Sequence, residues 1–161
     1  MAVFNINNRS DIQKMVKQIT KEMRISIELS LMQIAETVKE VWKDFVNAFW
    51  YGIYDPIVYK RTYETLNSIV TSSVSKVGDI YMVSIFYDTS LINTFQYGNY
   101  TGHENPDLMP YLIEEGDNST IGHQRASHAY ERTIDWLNDK SDFENAVVGA
   151  LKAKGFDIKL K

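Results

Sequence analysis

With 161 residues, 44% of them hydrophobic and 24% charged, the chain is long enough for one domain with a substantial core and short for two. Seventeen Lys and Arg against 21 Asp and Glu leave a formal net charge of -4, which excludes a general nucleic-acid coat, because such a coat needs a basic footprint. The absence of cysteine removes disulfides, thiolate nucleophiles, zinc fingers and iron–sulfur clusters, and fits a reducing compartment.

Residues 1–9 have neither the basic start nor the apolar centre of a signal peptide. The most apolar stretch, residues 45–54, is interrupted by Asn47 and is roughly half the length of a membrane span. A soluble protein made in the cytoplasm, with no membrane contact, is expected.

Ser10 followed by Gln13 has the form of a capping box. Beyond it the strongest periodicity in the chain begins. Ile12, Met15, Ile19, Met23, Ile27, Leu31, Ile34, Val38, Val41 and Phe45 recur every three or four residues, which predicts one apolar face of a helical region over residues 10–50. A straight helix of about 38 residues would span roughly 57 Å, against a radius of gyration of roughly 15 Å for a domain of this size. Two outcomes are open. The helix breaks near residues 24–30, where Ile25, Ser26 and Ser30 lower helix propensity, or its stripe is buried against another subunit.

Gly52 and Asp55-Pro56 are expected to end the helix. Trp42, Phe45, Phe49, Trp50, Tyr51, Tyr54, Tyr59 and Tyr63 crowd this stretch. Aromatic rings serve equally as core and as interface anchors.

Residues 70–77 and 80–88 read as two strands around a turn at Gly78-Asp79. Tyr81, Val83, Ile85 and Tyr87 share one face of the second strand, and Ile80, Met82, Ser84 and Phe86 share the other. Both faces are largely apolar, so cover on both sides is expected. The helix would supply one cover and a neighbouring subunit the other. Residues 97–107 and 117–122 read as loops, leaving a short element at 108–115 interrupted by Pro110. Amphipathic helices are expected over residues 124–138 and 142–154, the latter capped by Gly155, with a last strand at 156–160.

The fold class is therefore α+β, with a long N-terminal amphipathic helical region packed on a small, mainly antiparallel sheet and helices at the C-terminal end. A single domain covers residues 1–161, with the helical region at 10–50, the sheet region at 68–116, and C-terminal helices and a last strand at 124–161.

Catalytic chemistry finds little purchase. His103, His123 and His128 show no i,i+4 pair, and His128 with Glu131 is one chance-level pairing. No Gly-x-Ser-x-Gly elbow and no phosphate-binding glycine loop occurs. Glu114 and Glu115 would face opposite ways on a strand, a poor geometry for shared acid–base work. No catalytic, cofactor-binding or metal-binding residue is expected, and the chain reads as a non-enzyme.

Three segments carry a resemblance to a known family. Tyr59 to Ile69 holds Thr62, Leu66, Ser68 and Ile69 in a Thr-Gly-x-Leu-x-x-Ser-Ile-like order. Tyr111-Leu112-Ile113-Glu114-Glu115-Gly116 is similar to a Tyr-x-x-x-Glu-x-Gly strand end, and residues 143–161 to a closing helix with Gly near its end. In this order the chain resembles the neck, head–tail joining or tail-completion proteins of tailed bacteriophages. Two features depart from the family: Tyr63 stands where Gly usually follows the Thr, and residues 99–107 have no clear counterpart.

The resemblance implies a structural virion protein. It would be a subunit of an oligomeric, expectedly hexameric, ring in the neck or at the head-proximal end of the tail. It would contact neighbouring neck and tail-tube proteins, with DNA passing through the channel without sequence-specific binding. A weakly negative lumen would let DNA slide; Glu104, Glu114 and Asp117 are candidate lumen residues from their loop positions. Expected interface residues are Ile27, Leu31, Phe49, Trp50, Tyr51, Tyr54, Tyr81 and Tyr87. The alternatives are a tail terminator capping the tail tube, a small cytoplasmic metal-binding enzyme, and a helical module binding one partner.

Overall fold

The computed structural model describes residues 9–53, 63–92, 108–116, 126–139, 142–153 and 155. The expected N-terminal lead-in, the loops at 97–107 and 117–122, and the last strand at 156–160 lie outside these residues.

The first element, α1, is one unbroken helix of 38 residues, Arg9–Val46. Ser10 therefore sits within its first turn, with Asp11 beside it as the acidic residue favoured at a helix start. No break occurs at 24–30, and the side chains show why. Ser30 donates its hydroxyl to the Ser26 carbonyl at 2.8 Å, and Thr20 does the same to Val16 at 2.8 Å. These hydroxyls turn back on the preceding helical turn instead of competing with it. Arg24 pairs with Glu28 at 2.7 Å across the same segment, an i,i+4 pair that supports a helix.

At its end α1 widens into a π turn, Asn47–Tyr51. Gly52 closes it by donating its N–H to the Asn47 carbonyl at 2.6 Å. Such a bulge rotates the following side chains relative to the α-helical face, and here it brings Trp50 into the core beneath Trp42 and Val46.

A short helix α2, Glu64–Asn67, leads into the sheet. Strands β1 (Ile69–Thr71) and β4 (Ile85–Tyr87) pair antiparallel, as do β2 (Ser75–Val77) and β3 (Ile80–Met82). The two ladders are one hairpin interrupted by a bulge. Residues 72–74 oppose only 83–84, so the register slips by one residue between the ladders. Ser72 bridges the slip: its N–H donates to Ser84 O at 2.8 Å, and its hydroxyl accepts from Ser84 N at 2.9 Å. The tip is the expected two-residue turn, with Gly78 at φ +61° and Asp79 outside the left-handed region, the arrangement that places Gly first in a hairpin turn.

Three further helices complete the described chain: α3 (Leu108–Glu115), α4 (Ala129–Asp139) and α5 (Asp142–Ala153). Residues 108–116 were expected in the sheet region and form a helix instead. Pro110 lies in the first turn, where its missing N–H costs nothing, and Gly116 follows the last residue at φ +83°. Its N–H returns to the Leu112 carbonyl at 2.8 Å. The expected Gly155 cap is present, at φ +87° with its N–H on Lys152 O.

The architecture is α+β: α1 packs on α4, α5 and β1, and the core gathers Trp42, Val46, Trp50, Ile69, Ile113 and Ala129. The buried line of α1 is thus Ile34, Trp42, Val46 and Trp50, with Val41 and Phe45 only half-buried. The periodic stripe and the buried line agree at Ile34 and diverge towards the π turn.

Candidate subunit interface

The core is organised by one carboxylate. Glu114 Oε1 accepts from the Trp42 indole N–H and from the Tyr87 hydroxyl, each at 3.1 Å. Its Oε2 accepts from the Tyr130 backbone N–H at 2.9 Å. Tyr130 is the second residue of α4, so a side chain from α3 satisfies one of the free N–H groups that open α4 and sets a negative charge at its positive end. The main chain reinforces this: Ser127 N donates to Ile113 O at 2.8 Å and His128 N to Glu114 O at 3.2 Å. Trp42 also meets Tyr87 and Tyr130 edge-on, with ring centroids 5.0 and 5.6 Å apart. One residue thereby ties α1, β4, α3 and α4 together.

Sequence reasoning missed this role, because Glu114 was expected on a strand end and named as a candidate lumen residue. The structure corrects that expectation: its carboxylate is committed to the interior. Glu104 and Asp117 lie outside the described residues. The signal that locates Glu114 is Pro110 early and Gly116 late, the punctuation of a helix.

Burial and the adjacent Glu114 charge push the Tyr87 hydroxyl well above the usual tyrosine range. A raised folded-state value means the stabilisation is complete below the unfolded value, near 10, and is lost as pH rises above it. Urea midpoints should therefore hold steady to about pH 10 and fall above it, and Tyr87→Phe should flatten that alkaline fall. An unchanged alkaline limb in the variant would exclude Tyr87 as its source. Glu36 shows the opposite shift. Its bond to Lys39, then one from the Thr71 hydroxyl at 2.7 Å, holds its carboxyl below the usual range and joins α1 to β1.

Two apolar faces remain uncovered. Along the N-terminal half of α1, Ile12, Val16, Ile19 and Met23 are 46, 53, 43 and 43% exposed. On the hairpin, Tyr81, Val83, Ile85 and Tyr87 turn inward and are half-buried, while Ile80, Met82 and Phe86 face out and are exposed. The chain covers one face of that strand and leaves the other open, in place of cover on both sides.

The expected interface residues divide accordingly. Trp50 is buried in the core, and Tyr87 is packed on Trp42 and bonded to Glu114, so both serve the fold of this chain. Ile27 and Leu31 are half-buried on α1. Phe49 is half-buried beneath the Arg132 guanidinium, 4.0 Å from its ring centroid. Tyr51 lies 4.8 Å from Tyr63, centroid to centroid. Tyr81 carries Lys76, its cross-strand partner, over its ring. Tyr54 lies outside the described residues.

Tyr63 and His128 are the non-glycine residues with positive φ, at +57° and +47°. Tyr63 is the position at which the resembling family carries Gly, the residue that meets no penalty in this conformation. His128 opens α4, and its Nδ1 lies 3.5 Å from Glu131. His103 and His123 lie outside the described residues. Among the described residues no group of three or more His, Asp or Glu could hold a metal ion, and no helix is long and apolar enough to cross a membrane.

The chain matches the YomN family over residues 8–153. It belongs to that family. The YomN family is phage-derived, of the Bacillus phage SPBeta-like type. The match takes in α1, the hairpin and all of α3 to α5, so the Glu114 hub and both uncovered faces lie within the YomN region. No curated protein and no solved structure matches the chain.

Proposed function

We propose that this YomN-family chain is a non-enzymatic structural subunit of a tailed-phage particle. It forms a homo-oligomeric ring, of expected six-fold symmetry, in the neck or at the head-proximal end of the tail, and joins head to tail around the DNA channel. The observation that carries this function is the uncovered apolar stripe on a helix that does not break. A lone soluble chain gains nothing from exposing that stripe, whereas burying it against sister copies contributes roughly 1.5–3 kcal/mol per large side chain. The phage-derived family and the second open face on the hairpin support the same function. A head-to-tail contact between copies closes into a ring when its rotation closes.

Deleting the gene from a phage that carries it tests this. Intact DNA-filled heads and separate tails are expected, with the chain present in purified wild-type particles. Tails of uncontrolled length would instead favour a terminator. Normal infectious particles lacking the chain would remove the proposal.

A further inference from the structure

The two edges of the uncovered α1 face differ in chemistry. At about 100° per residue, Ile12, Val16, Ile19 and Met23 cluster on one side of the helix, and Lys17, Lys21 and Arg24 lie roughly a third of a turn or more away. Segment 9–24 carries five Lys and Arg against Asp11 and Glu22, in a chain whose net charge is -4. Among the described residues Lys17 and Lys21 make no ion pair, and Arg24 pairs with Glu28.

Helix α4 has the matching edges. Tyr130 and Ile134 are exposed side by side, one turn apart. Glu131, Asp135 and Asp139 form an exposed acidic row along the next third of the helix. Asp135 and Asp139 have no cationic partner among the described residues, and Glu131 only approaches His128 at 3.5 Å. The inward face of α4, Ala129 and Thr133, is buried in its own chain. Going round each helix in the same sense, apolar precedes charged in both. Such edges meet apolar to apolar and basic to acidic only when the two helices run antiparallel.

We infer that the N-terminal half of α1 docks antiparallel on α4 of a second copy of this chain, with Ile19 and Met23 against Tyr130 and Ile134 and with Lys17 and Lys21 against Asp135 and Asp139. This rests on the assembly proposed above and specifies its contact as heterologous, one surface giving and another receiving. The charge pattern favours a second copy over a lipid surface. The basic residues stand away from the apolar stripe, while its immediate flanks hold Gln13, Met15, Thr20 and Glu22; a helix lying on anionic lipid gains from cations at that boundary.

Charge reversal is the test, on the full chain, with circular dichroism to confirm folding. Lys17→Glu with Lys21→Glu, and separately Asp135→Lys with Asp139→Lys, should each weaken self-association roughly tenfold or more. Mixing the two variants should restore association between them. A second measurement uses the cysteine-free background: Ile19→Cys mixed with Ile134→Cys should give an intermolecular disulfide that neither forms alone. Wild-type association with no rescue and no such disulfide would overturn this contact and leave the ring standing. A wild-type chain monomeric at every concentration would overturn both. Binding of wild-type chain to phosphatidylglycerol vesicles, lost in Ile19→Asp, would overturn the second-copy assignment in favour of a lipid surface.

Discussion

Glu114→Ala is expected to lower the unfolding free energy by about 3 kcal/mol, read from urea midpoints at constant slope. The change strands three donors at once: the indole of Trp42, the hydroxyl of Tyr87 and the first-turn N–H of Tyr130. A hydrogen bond to a charged group contributes about 1.5–3 kcal/mol, and a buried donor left unpaired costs about 1–3 kcal/mol. The losses do not add fully, because Tyr130 is exposed and water can reach its N–H. For a domain of this size the melting temperature should fall by roughly 6–12 °C. Glu114→Gln keeps a carbonyl acceptor in place and should cost clearly less. A change below about 0.5 kcal/mol for the alanine variant would mean that the four elements are held together by packing alone.

The second large effect concerns assembly and leaves the fold nearly untouched. Ile19→Asp combined with Met23→Asp should keep the helical signal, since both side chains are exposed in the single chain and α1 meets its core partners further along, from Ile34 onward. Stability of the monomer should move by about 1 kcal/mol or less, mostly from the lower helix propensity of Asp. Association should be lost by roughly a thousandfold or more. Burial of two large apolar side chains contributes about 3–6 kcal/mol, and each tenfold in affinity is about 1.4 kcal/mol. Ile34→Asp, by contrast, puts a carboxylate into the core and should unfold the chain. If the double variant associates as well as wild type, the stripe is not the contact.

Much of this arrangement was legible before the structure. The three-and-four spacing on α1 marks a helix, and the two-residue turn at Gly78-Asp79 marks the hairpin. The inward and outward faces of the second strand also follow from alternation, because side chains in a strand change face at every residue. Where the reading departs, a local device is responsible. Val41 and Phe45 continue the spacing of Ile34 and Val38, yet the core takes Trp42, Val46 and Trp50, and the π turn that positions Trp50 leaves no mark in a hydrophobic period. The bulge opposite Val83-Ser84 is invisible for the same reason: three serine-rich residues oppose two, and only the pairing reveals it.

The helix break at residues 24–30 was one of two open outcomes, and hydroxyl bonds back to the preceding turn decide against it. Glu114 was the largest omission. Its partners are separated from it by 72, 27 and 16 residues, and no local pattern encodes contacts of that range. The charged edges of α1 and α4 were in the sequence throughout, but their opposition needs both helices and their buried faces to be known.

Sedimentation of the purified full chain from micromolar concentrations upward tests the central claim most directly. A mass that is a multiple of 18.6 kDa, rising with concentration and collapsing to the single-chain value in the Ile19→Asp, Met23→Asp variant, is the predicted result. A wild-type chain that stays at 18.6 kDa across the whole range, with its apolar stripe still open to solvent, would contradict it.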